Sequence, residues 1–151
     1  MCSSDLIAST DIVTTFRRSG YFNTFASSPV QAAAGLAVLD EIEGRNLLES
    51  VAETGAYLLA GVNALAVGCA AITDVRGCGL FLAIEWARDG EPDPVGAAEI
   101  AERLKDGGVL IANAGALDNL LKIRPPLVFA REHADQFLSV FAAVLDSWDG
   151  G

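Results

Sequence analysis

Histidine occurs once in this sequence, lysine twice and cysteine three times, and each shortage removes a class of chemistry. With His133 as the one imidazole, Ser-His and Cys-His catalysis have no partner unless that ring serves. Its place beside Arg131 and Glu132, at the opening turn of a helix, fits a solvated surface role. Cys2, Cys69 and Cys78 are odd in number and form no Cys-x-x-Cys pair, so buried or half-buried thiols are expected rather than a disulfide framework or a metal site. Positive charge is scarce as well. The 10 Lys+Arg face 20 Asp+Glu, and a formal net charge of -10 repels a phosphate backbone, so no nucleic acid is expected as partner. No apolar run approaches the roughly 20 residues that span a bilayer. Met1 is not followed by a basic patch, an apolar core and a small-residue cleavage site, so a soluble cytoplasmic protein with no membrane partner is expected.

What is present is a globular composition: 151 residues, 52% of them hydrophobic, suffice for one core. The opening string Met1 to Leu6 matches one translation frame of a common short-read sequencing adapter. We expect it to be non-native, with the natural chain continuing upstream. From Asp11 to Arg18 the pattern predicts a short helix ending at Gly20. Ser28-Pro29-Val30-Gln31 offers an N-cap, a proline at the first helical position and a capping-box glutamine. The helix that follows should present Val30, Ala33, Ala34, Ala37, Val38 and Ile42 near one face and stop at Gly44. Asn46 to Glu49 repeats the capping-box logic, and Leu47, Val51, Thr54, Leu58, Val62 and Leu65 recur at helical spacing until Gly68. Strands are predicted over 72–75 and 80–86 around the turn Arg76-Gly77-Cys78-Gly79, where two glycines permit conformations closed to other residues. After a loop over 89–94 come a helix over 95–105, strands over 109–112 and 120–123, and a last helix over 131–148. Ala134, Phe137, Leu138, Phe141, Val144, Leu145 and Trp148 form its apolar stripe. This order predicts an α/β fold, a long helical lead-in followed by a small sheet covered by helices.

Two places could carry chemistry. The loop Tyr21-Phe22-Asn23-Thr24-Phe25 feeds a helix, where hydroxyls and backbone N–H groups suit phosphate oxygens, although a Ser/Thr cluster before a helix also serves simply as a cap. Arg124 ends an apolar strand just before Pro125-Pro126, which fix the backbone. A guanidinium held there can grip a carboxylate bidentately, or it can snorkel or pair with a nearby acid.

Three segments resemble one family. Tyr21 to Asp40 is similar to the Asn-Thr-Phe-Gly-Gly-Asn-Pro loop and helix of class III aminotransferases. Asp74-Val75-Arg76-Gly77-Cys78-Gly79-Leu80-Phe81 looks like their Val-Arg-Gly-x-Gly-Leu turn. Lys122 to Leu127 is similar to their Arg-x-x-Pro-Pro-Leu or Ile-Arg-Pro-Pro-Leu strand. The resemblance runs from Asp11 to Trp148 and implies the C-terminal part of a fold type I transferase that uses pyridoxal 5'-phosphate. It implies an end of the large domain with connecting helices over 11–68, after an irregular or non-native 1–10, and a small C-terminal α/β domain over 69–151. By the same resemblance Thr24 gives its hydroxyl to the cofactor phosphate across a homodimer interface, and Arg124 binds the carboxylate of small amino and keto acid substrates. Arg76 shapes the turn that opens the small domain. In the family the cofactor carries the chemistry and a lysine shuttles the proton.

The sequence departs from that pattern at two points. Ala26, Ser27 and Ser28 replace the Gly-Gly-Asn triplet, and neither Lys105 nor Lys122 matches the family's Schiff-base position, which lies upstream of Thr24. No catalytic residue is therefore expected within these residues, and the chain alone is expected to be inactive. The implied parent is an aminotransferase; a phospho-lyase on the same scaffold and a non-catalytic acidic α/β interaction domain are the alternatives.

Overall fold

A computed structural model describes residues 8–22, 24 and 28–148. The string Met1 to Leu6, Cys2, Asn23, Phe25 and the Ala26-Ser27 replacement lie outside the described residues. The chain divides into two compact units, 1–40 and 41–151.

The first unit holds α1 (Thr10–Arg17) and most of α2 (Pro29–Gly44). Past α1 the chain turns through Gly20 at φ +70°, and the rings of Phe16 and Tyr21 meet at 5.1 Å. Pro29 takes the first position of α2, where its missing N–H costs nothing, and the Ser28 carbonyl accepts from the Ala32 N–H at 3.1 Å. The single apolar face expected for α2 proves too narrow a description. At 100° per residue Leu36 and Leu39 fall on the side away from Val30 and Ala34, so the helix is apolar all round, yet none of its residues is buried. Gly44 ends α2, but the left-handed residue of the connection is Asn46 (φ 49°), the next best after glycine at that conformation.

The second unit is built on α3 (Leu47–Ala66), β1 (Ile72–Cys78), β2 (Phe81–Arg88), β3 (Glu91–Pro92), α4 (Pro94–Asp106), β4 (Asn113–Ala114), β5 (Leu120–Ile123) and α5 (Arg131–Asp146). The sheet is antiparallel in the order β1-β2-β5-β4, with β3 folded back on the end of β2. Every second residue of the central strands enters the core. Leu82, Ile84 and Trp86 of β2 and Leu121 and Ile123 of β5 meet Leu58 and Val62 of α3, Ile100 and Leu104 of α4, and Phe137 and Phe141 of α5. Each such side chain contributes about 1.5–3 kcal/mol by leaving water. α3 packs against β1 and α5. On the outside of that contact Arg131 stacks 3.8 Å above the Tyr57 ring, and the Tyr57 hydroxyl donates to Asp135.

Several local expectations change. The β1–β2 turn is shorter than the four residues expected: Cys78 pairs Phe81, so Arg76, Gly77 and Cys78 are strand and only Gly79-Leu80 turn. Gly79 has φ +54° and Leu80 does not, the pattern of a type II′ hairpin. Gly77 is needed for room instead, since a Cβ there would lie 2.6 Å from the Phe81 carbonyl oxygen. Cys78 is exposed, against the expectation of a covered thiol, because it ends an edge strand; Cys69 is half-buried as expected. The loop over 89–94 contains a second hairpin, with Asp89 and Gly90 both at positive φ as a type I′ turn requires. No capping box forms at Asn46, whose amide donates to the Glu49 side chain rather than capping the helix. The segment 109–112 is not a strand. Pairing is confined to Asn113↔Leu121 and Ala114↔Leu120, and Trp148 lies past the end of α5 with its ring 5.1 Å from Trp86.

Two predictions follow from this packing. A Cβ on Gly55 of α3 would sit 2.2 Å from the Gly79 carbonyl oxygen, and backbone cannot swing aside as a side chain can. Gly55→Ala is expected to destabilise the fold by about 1–3 kcal/mol, read from urea melts, despite alanine's better helix propensity. Buried Asp93 caps α4, with Oδ1 accepting from the Gly96 N–H at 2.9 Å and Oδ2 from Arg88 Nε at 2.9 Å. The Gly96 N–H, helped by Arg88, holds its carboxyl below the usual range against the opposing effect of burial. A lowered folded-state pKa means stability that is present above the unfolded value and lost as pH falls through the folded one. Asp93→Ala should therefore cost about 1–2 kcal/mol at neutral pH. That gap should close below about pH 4; a gap independent of pH would show that the carboxylate charge contributes nothing.

Candidate functional site

β5 is a strand of alternating faces. Leu121 and Ile123 are buried, so Lys122 and Arg124, one step out of phase, are exposed together. The strand is positioned by β2, which pairs Ala83 with Lys122 and Leu82 with Ile123. The Asn119 side chain fixes the approach to β5 by donating to the Trp86 carbonyl at 3.0 Å. Pro125 and Pro126 then end the strand without offering an N–H.

Because β4 reaches only Leu120 and Leu121, the edge of β5 beyond them is left open. A cavity of about 730 Å³ lies there, walled by the segment 108–114, by Lys122 to Pro125 and by Phe129, His133, Gln136 and Phe137. Its apolar lining is interrupted by Asn113, Lys122, Arg124, His133 and Gln136, and no aspartate or glutamate among the described residues lines it. A second cavity of about 460 Å³, between the end of α3 and the end of α5, has Asp89 and Asp146 in its wall. Among the described residues Arg124 makes no ion pair, so the nearby acid that could have occupied it is not there.

The other sequence candidates fall elsewhere. Thr24 is exposed in the N-terminal unit and Arg124 belongs to the C-terminal one. Arg76 is not in a turn: it lies in β1 and bonds both Asp74 and, at 2.7 Å, Glu85 across the hairpin. His133 is exposed, as expected, but it is not idle. It is the third residue of α5, and its Nδ1 accepts the Ala130 N–H at 2.9 Å, satisfying a donor at the helix start. The cavity role of Lys122, His133 and Gln136 was not read from the sequence; the strand alternation that places Lys122 beside Arg124 was the available signal.

The model of the family described as aminotransferase class-III matches residues 1–145. The chain belongs to the class III aminotransferases. It is 37% identical over 146 residues to an alanine–glyoxylate aminotransferase 2-like protein of Drosophila melanogaster, covering 93% of this chain and 30% of that protein. Among solved structures, a phospholyase from Arthrobacter in complex with phosphoethanolamine aligns with a TM-score of 0.83 at 38% identity, over 92% of this chain and 34% of that one. An amine transaminase from an uncultivated Pseudomonas species, in its pyridoxal-phosphate-bound internal aldimine form, aligns with a TM-score of 0.75 at 31% identity, over 83% and 29%. The chain thus spans about a third of the length of the proteins it matches, and its fold is that of the C-terminal part of a pyridoxal-phosphate-dependent transferase.

The class III cofactor can be tested against the residues present. Lys105 is exposed on α4 and tied to Glu102, and Lys122 stands on the open face of β5. Neither is a shielded amine of the kind that forms a Schiff base near neutral pH. The buried carboxylate Asp93 is committed to Gly96 and Arg88, so it cannot serve a pyridine nitrogen. The described residues therefore do not compose a pyridoxal phosphate site by themselves. What they do bring together is a cavity wall that carries Lys122 and Arg124.

Proposed function

We propose that this chain supplies the substrate-binding wall of a class III aminotransferase, a cytoplasmic homodimer that moves an amino group between an amino acid or amine and a 2-oxo acid, and that the chain alone is inactive. The observation that carries the reading is Arg124: a guanidinium at the end of a rigid strand, without an acid partner among the described residues, in a cavity with no carboxylate in its wall. An arginine so placed matches the two oxygens of a substrate carboxylate. Thr24, exposed and with no side-chain hydrogen bond among the described residues, provides one hydroxyl for the phosphate of pyridoxal phosphate in the assembled dimer. The Schiff-base lysine lies in the part of the parent upstream of Thr24. A phospho-lyase reading has its own support, the TM-score of 0.83 to a protein holding phosphoethanolamine, and the same guanidinium would then face a phosphate.

The test uses the parent enzyme with its upstream sequence. One hydrogen bond to a charged group is worth about 1.5–3 kcal/mol. Arg124→Lys should therefore lower kcat/KM for a carboxylate-bearing amino acid by about one to two orders of magnitude. It should spare a matched amine without the carboxylate and leave the cofactor bound. Thr24→Ala should do the reverse, loosening the cofactor while keeping the ranking of substrates. If Arg124→Lys impairs both substrates equally, or releases the cofactor, the arginine holds the domain and not the substrate. Faster phosphate release from a phosphorylated amine than amino transfer from any amino acid would favour the phospho-lyase.

A further inference from the structure

We propose that Lys122 is a second anion-binding residue of the Arg124 cavity and that the pair selects a dianionic phosphomonoester group over a carboxylate. The inference rests on the phospho-lyase reading of this cavity, in which Arg124 faces a phosphate, and names a second residue that would hold that group.

The first observation is spacing. Lys122 lies in β5 and Arg124 directly follows its last residue, so in extended backbone their Cα atoms are about 7 Å apart, and both residues are exposed. Both line the same cavity. Like charges so close repel unless something negative sits between or beside them, and no aspartate or glutamate lines the cavity although the chain has twice as many acids as bases.

The second observation is how the other cations are used. Of the eight other lysines and arginines, Arg45, Arg76, Arg88, Arg103 and Lys105 each hold a carboxylate and Arg131 lies on the Tyr57 ring, while Arg17 and Arg18, in the N-terminal unit, make no ion pair among the described residues. The acids on the outer face of the sheet, Asp74 and Glu85, are both taken by Arg76. Glu85 pairs Leu120 in register, two residues from Lys122, so it is the carboxylate this face places nearest along the strands, and Arg76 removes it. The one cross-strand partner of Lys122 on β2 is Ala83, too small to cover it. Among the described residues Lys122 and Arg124 are thus exposed and without an ion pair, in a cavity with no described acid in its wall.

The third is stoichiometry of charge and oxygen. A carboxylate has two oxygens and one charge, which a single arginine fork satisfies. A phosphomonoester carries close to two charges above its second pKa of about 6 and has three terminal oxygens. A fork and a separate ammonium on one wall match the larger group, and the ammonium is surplus for the smaller one. His133 borders the same cavity, but its Nδ1 is already engaged by Ala130 and Glu132 comes within 3.9 Å of its Nε2, so the proposal does not use it.

The experiment titrates the full chain with methyl phosphate and with acetate at about pH 8, where methyl phosphate is dianionic, following backbone amide shifts. Both should move resonances of 109–114 and 122–125. Lys122→Met should weaken methyl phosphate by about tenfold or more, leave acetate within about twofold, and be rescued by Lys122→Arg. Resonances of α3 and α4 that stay in place report that the variant is folded, as an exposed site predicts. Equal loss of both ligands, or none, overturns the role of Lys122. Should Arg124→Lys leave both ligands unaffected, the cavity reading of Arg124 fails, whatever Lys122 does.

Discussion

A sheet covered on one face only must send alternate side chains to opposite fates, and in the C-terminal unit that constraint decides both the core and the site. α3, α4 and α5 all contribute to the core formed with the side of the sheet that carries Leu82, Ile84, Trp86, Leu121 and Ile123. The residues between them have no choice but the other side. On β5 that residue is Lys122, with Arg124 directly after the strand's last residue, and a one-residue slip in register would bury Lys122 and expose Leu121 and Ile123. The register is therefore enforced by the core, and the placement of the two cations is a consequence of hydrophobic burial rather than of any interaction they make themselves.

The helices and strands were legible because their apolar periods are strong: α3, β2 and α5 are where spacing places them. What was not legible depends on contacts between distant segments. Gly55 and Gly61 sit inside α3, where glycine lowers helix propensity, yet a Cβ at either would collide with Gly79 or Leu138, so they are where α3 comes close to its neighbours. Gly77 looked like a turn residue and is a strand residue with no room for a side chain. The apolar run over 109–112 has the composition of a strand, but β4 pairs only at Asn113 and Ala114, and composition does not encode whether a partner edge is within reach. That same failure to pair opens the cavity beside Arg124. Sequence reasoning proposed Arg124 through a short motif and passed over Lys122, because the motif draws attention to one of the two cations that line the cavity.

Charge is distributed with similar economy. In a chain with an excess of acids, an arginine or lysine on the surface readily finds a carboxylate, and five of the ten here do. An exposed pair of that kind contributes little to stability, typically below about 1 kcal/mol. Its effect in this protein is local: by holding Asp74 and Glu85, Arg76 keeps negative charge from the neighbouring cations of β5. The negative field of the rest of the molecule then makes the cavity a local exception, which favours anions at the wall over anions elsewhere on the surface.

Proteins similar to this chain include an alanine–glyoxylate aminotransferase-like protein and a phospholyase that holds phosphoethanolamine. Where relatives share a cofactor, the cofactor's electronics alone cannot separate one substrate from another; the difference has to reside in groups that meet the part of the substrate that does not react. A strand face is a suitable place for such groups. Its backbone is held by Ala83 and Leu82 on one side and by the paired prolines at its end, so the position of a cation changes little when the side chain does. Substituting at 122 or 124 alters charge count and donor geometry without disturbing Leu121 or Ile123, because the two sets point to opposite sides of the sheet. On the proposed reading of the cavity, exchanging exposed residues changes what the wall holds, while the core that maintains the register stays as it is.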